Sequence, residues 1–313
     1  MNLLLIVILA ASLPTFRDFS RIDRERRTTG QFQTAESLQA TRVDPKLIAS
    51  TVKQHADDPE ILWGAAELLT DWPGQKSMFE SALRAGGTNV AVALRFACAA
   101  ARHSDFDLAA RWLRHCEEKD AANTAPWLVE LWVEHQQKLP GKLANPAGKP
   151  PTEFRDYGAD TARTRIHLLE AAGYSPYSAR RLGFAPDSAL LNMAGDLCRP
   201  PVSDAALPLL EGAARVMQRH PTFIATELVG ESVERKLLAL RKDAGANETI
   251  QARVEEMRAR REELINLIST VELNTIDLAS EEQMVHYFDD VFESGEEAAM
   301  RQLAIDVRRQ LQP

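Results

Sequence analysis

The chain has 313 residues, 45% hydrophobic, 26% charged and 6% aromatic, a balance that suits about two globular domains with a core needing no staples. A net charge of −8 excludes a general nucleic-acid footprint. Three cysteines, Cys98, Cys116 and Cys198, with no CxxC or Cys/His cluster, exclude a disulfide framework and a zinc site.

Residues 1–30 join an apolar run, Leu3 to Leu13, to a basic stretch holding Arg17, Arg21, Arg24, Arg26 and Arg27. The run ends at Pro14 and falls short of the ~20 residues that a membrane-spanning helix needs. It has the length of a signal-peptide core, and Ala10-Ala11-Ser12 offers a small-residue cleavage site. No basic residue precedes it, and the arginines that follow disfavour export. The expectation is an exported or membrane-associated protein of the cell envelope, held through Leu3–Leu13. The alternative is a cytoplasmic protein in which this segment is a buried helix.

Residues 31–137 carry helical periodicity. "DDPEILWGAAELLTDW" and "GQKSMFESALRAGG" predict two short helices with an irregular turn at Trp72-Pro73-Gly74. "NVAVALRFACAAARH" (Asn89–His103) predicts a third helix. "SDFDLAARWLRHCEEKD" predicts a fourth, capped by Ser104 or Asp105, with an apolar stripe of Leu108, Ala109, Trp112, Leu113 and Cys116. "WLVELWVEHQQ" (Trp127–Gln137) is a fifth. Phe79 and Ala82 stand 34 residues before Leu113 and Cys116, and Ala93 stands 34 before Trp127.

This pattern resembles the tetratricopeptide repeat, a ~34-residue helix–turn–helix with small residues where its helices cross. The resemblance covers about residues 44–137. Ala93, Ala100 and Ala121 stand where the family has tryptophan, tyrosine and proline. It implies stacked helix pairs whose concave surface holds a protein or peptide segment. Arg95 and Arg102, on the first helix of their pair, are groove candidates by position. The competing reading is an Ala-rich bundle with an accidental echo.

Residues 138–157 include "KLPGKLANPAGKPPTEF", with four prolines and two glycines, which predicts a linker. Residues 158–313 form a second helical region. Gly173 suits a left-handed helix end, and Ser175-Pro176 opens the next helix. Tyr174, Tyr177, Arg180 and Arg181 gather there; the tyrosines are expected to pack and the arginines to pair with carboxylates. A long helix near 247–278 carries Ile250, Val254, Met257, Leu264, Ile268, Val271 and Leu278 at alternating 4–3 spacing, with Arg261 and Thr275 in the two vacant positions. Packing on Thr222–Lys242 within the chain is expected ahead of a coiled-coil oligomer, because Ile265, Leu267 and Leu273 widen the stripe. From Thr270 to Pro313 ten acidic residues face three basic ones, which predicts solvated acidic helices.

No phosphate-binding loop, HExxH or GxSxG is present. Ser50–Lys53 fits SxxK without the companion motifs of penicillin-binding proteins. Glu231-Ser232 matches the Glu-Ser pair of helical lytic transglycosylases, but "VERKLLALRK" follows where that family has a glycine-rich segment. Asp289, Asp290 and Glu293 cluster on one helix, and general acid–base work needs carboxyls in two different environments. The sequence therefore predicts an all-α, non-catalytic interaction protein with no cofactor. An all-α enzyme of the envelope and a membrane-tethered structural component assembled through 247–278 are the alternatives.

Overall fold

The computed structural model describes residues 43–138, 153–155, 157–184, 188–197, 207–219, 221–240, 248–276 and 278–311. The expectations for Leu3–Leu13, for the arginines up to Arg27, for Cys198 and for most of the Pro-rich segment lie outside these residues. The fold is all-α, with fourteen helices among the described residues. The first six are α1 (Pro45–Gln54), α2 (Pro59–Leu68), α3 (Trp72–Gly86), α4 (Val90–Arg102), α5 (Phe106–Lys119) and α6 (Ala125–Gln136). Then come α7 (Gly158–Ala171), α8 (Pro176–Gly183), α9 (Ser188–Leu197), α10 (Leu207–Arg219) and α11 (Ile224–Leu240). The last three are α12 (Glu248–Asn274), α13 (Glu281–Ser294) and α14 (Glu296–Leu311). Within this set no helix is long and apolar enough to cross a membrane.

Aspartate and proline start the early helices. Asp44 caps α1 and Asp58 caps α2, each carboxylate accepting from first-turn amides ahead of a proline that has no amide to satisfy. Trp72-Pro73-Gly74, expected as a turn, forms the first turn of α3, because the Asp71 carboxylate accepts from the Gly74 amide at 2.8 Å. Asp105 precedes α5 but makes no capping bond; its carboxylate pairs with Lys76 at 3.0 Å. Gly173 is left-handed at φ 89°, and the Tyr174 amide reaches back to the Leu169 carbonyl, closing α7.

α2–α3 and α4–α5 are consecutive helix hairpins that pack side by side. Their crossings are lined by alanine: Ala66, Ala93, Ala97, Ala100, Ala101 and Ala109 are each at most 1% exposed. Phe79 and Phe96 stack through this layer with ring centroids 5.1 Å apart, and Trp112 packs tilted against Phe96 at 5.9 Å.

The packing crosses the Pro-rich segment. α7 lies on α2, where Ile61, Ala65, Ile166, Leu168 and Leu169 share one core. Gly64 permits the approach: a Cβ there would stand 2.5 Å from the Thr164 carbonyl oxygen. α9, α10 and α11 join the hairpin core through Leu190, Leu210 and Leu237. Glu153 also bridges to Asn123: the Thr124 amide donates to the Glu153 carbonyl and the Glu153 amide to the Ala122 carbonyl. The buried Asn123 side chain closes this corner: its Nδ2 donates to the Arg155 carbonyl and its Oδ1 accepts from the Arg155 amide.

α12 buries Met257, Arg261, Leu264, Ile268, Val271 and, just past its end, Thr275. The 4–3 seam is thus covered inside the chain, by α11 and by α14, through both of its polar positions. Only its ends differ: Ile250 and Val254 are half-buried and Leu278 is exposed.

Candidate functional site

The two groove candidates do not share a surface. Arg102 is exposed at the end of α4. Arg95 turns inward, and its Nε and Nη2 donate to the two carboxylate oxygens of Glu67 on α2 at 2.8 and 2.7 Å. Burial raises the Glu67 pKa, but the charge and hydrogen bonds of Arg95, with the Arg165 charge and a bond from Trp63, outweigh burial and leave it below the usual carboxylate range. Arg95 therefore ties α4 to α2. Likewise, Arg180 pairs with Glu170 at 2.7 Å and Asp289 at 2.9 Å, which joins α8 to α7 and α13.

The site that emerges lies elsewhere. α10, α11 and α12 enclose an open groove of about 950 Å³. α11 supplies Glu227, Glu234 and Leu238, which helical spacing places on one stripe; α10 supplies Arg215, Gln218 and Arg219, and α12 supplies Ile250, Arg253, Met257 and Arg260. Leu238 and Met257 are buried, so the groove has apolar patches beside its charges.

Its carboxylates are matched. Glu234, 2% exposed, accepts from Gln218 at 2.8 Å, Arg253 at 3.0 Å and Arg215 at 3.4 Å. Burial pushes its pKa up, but the bonds from Arg253, Gln218 and Arg215 prevail and hold the carboxyl ionised. Glu227 receives Arg260 at 2.7 Å, and Arg260 reaches on to Glu263 and Glu297. One turn from these, Glu231 is buried against Arg261 at 2.5 Å. The Glu231-Ser232 pair thus belongs to a helix–helix seam. Two arginines keep spare donors among the described residues: there Arg215 bonds Glu234 through Nε alone, and Arg219, exposed, makes no ion pair.

This groove was not foreseen. Its trace in the sequence is the 4–3 spacing of Glu227, Glu231 and Glu234 on one face of α11, which the basic face of α12 answers. Among the described residues no three His, Cys, Asp or Glu side chains are grouped to hold a metal. Comparison with known proteins gives no matching family, no matching curated protein and no matching solved structure.

Proposed function

We propose that the protein is a non-catalytic helical interaction protein that holds a segment of another polypeptide. The observation that carries this reading is the α10–α12 groove: it is open, partly apolar, and edged by arginines whose donors are not all taken by described residues, while its inner charges are already neutralised. Such a surface offers shape and charge to a docked chain. The 34-residue sequence pattern over about residues 44–137, which resembles tetratricopeptide repeats, points the same way.

The enzyme reading asks more of this groove. General acid catalysis needs a carboxyl kept protonated near neutral pH, and Glu234 is held in the opposite state. Retention of partners on the immobilised full chain under native conditions tests the proposal. The expected result is a protein retained by the native chain and lost when Arg215 and Arg219 are both changed to Glu. A folded chain that retains neither a foreign protein nor a second copy of itself overturns it.

A further inference from the structure

We propose that the groove between α10, α11 and α12 receives the α12–α13 corner of a second copy of this chain, in a head-to-tail contact. The inference rests on reading the groove as a docking surface. What it adds is the occupant.

The groove asks for an apolar side chain next to carboxylates. Leu238, Met257 and the half-buried Ile250 form its apolar part, and Arg215 and Arg219 on the α10 wall have donors with no acceptor among the described residues. The opposite wall is not free in this way, because Arg253 and Arg260 are taken by Glu234, Glu256, Glu227, Glu263 and Glu297.

The chain itself displays the matching motif. Leu278 is 53% exposed, the most open of the three large hydrophobic side chains on the described surface. Glu281 and Glu282 follow it, both exposed and both in the first turn of α13. Leu278 and the start of α13 are each tied by hydrogen bonds. The Leu278 amide donates to the Thr275 carbonyl at 3.0 Å, and Ser280 and Gln283 close a reciprocal capping box. Little ordering is then lost when it docks.

One molecule cannot satisfy itself. Ile250 and Arg253 stand at the start of α12 and Leu278 lies just past its end; 27 helical residues separate the two ends by ~40 Å. A contact between different patches on each partner is heterologous, so copies add in a chain or close into a ring.

Sedimentation velocity of the full-length protein over a wide concentration range tests this. The expected result is a sedimentation coefficient that climbs with concentration past the dimer and falls as salt is added. Leu278→Ser, a change on the surface, should weaken association about tenfold. Arg219→Glu should weaken it about fivefold, and Glu282→Arg placed on Arg219→Glu should restore it. A monomer at every concentration, or association that none of these changes alters, overturns the proposal. If that monomer still retains a foreign protein through Arg215 and Arg219, the groove docks another partner: self-docking fails and the reading it rests on stands.

Discussion

Glu117 shows how a single carboxyl sets a pH dependence. It lies half-buried on α5, with one carboxylate oxygen buried and unbonded. Burial first, then the neighbouring charge of Glu130 on α6, and a smaller one of Glu118, push its pKa up to about 7; Arg114 opposes them. Its ordinary value is 4.5, so between those limits the folded chain binds more protons than the unfolded chain. Stability from this group is therefore greatest at low pH and declines as pH rises toward 7. Glu117→Gln should raise the urea midpoint at pH 8 and leave it nearly unchanged at pH 5. The gain should be about 0.5–1 kcal/mol, since solvent screens the half-exposed pair. Glu67 is the opposite case. Glu67→Ala takes the bidentate partner from Arg95, and chemical denaturation should show a loss of about 3 kcal/mol. Neither effect was legible in the sequence, where Arg95 reads as a surface residue by position and Glu117 as one of many helical acids. Burial of each depends on which neighbouring helix covers it.

At the scale of elements, helix content was readable because apolar spacing and local capping are properties of short stretches. The long 247–278 pattern was readable for the same reason, as was the width of its stripe. Its partners were not. Arg261 looks like a fault in a heptad, yet it meets Glu231, whose position depends on the pairing of α11 with α12. The α2–α7 crossing was equally hidden. Nothing near Gly64 signals that Thr164, a hundred residues later, will lie against it. Gly64→Ala should thus destabilise the fold by about 1–3 kcal/mol in thermal unfolding, although alanine is the better helix former by about 1 kcal/mol. Ser280→Ala removes the capping-box hydroxyl of α13 and should cost about 1 kcal/mol in the same measurement.

At the scale of the whole molecule, the expected separation of residues 31–137 from 158–313 meets a packing arrangement that joins them. α7 covers α2, and α9 to α11 complete the core of the hairpins. A fragment ending at residue 138 would expose Ile61 and Ala65 to water, and circular dichroism should show it melting well below the full chain and without a sharp transition. Composition marks Lys138–Phe154 as a boundary because proline and glycine cannot continue a helix. Composition does not record that the chain returns afterwards to the surface it left.

The bond between Glu153 and the Asn123–Thr124 corner has a further consequence for engineering. Lys138 follows the end of α6, whereas Glu153 is fastened at its beginning, one helix length of ~18 Å away. Both anchor points belong to the same rigid rod, so the span between them stays constant however long the connection becomes. A designer who alters the chain between these two anchors therefore leaves the distance it must span unchanged, since Asn123 and Thr124 hold Glu153 and Arg155 at the start of the rod.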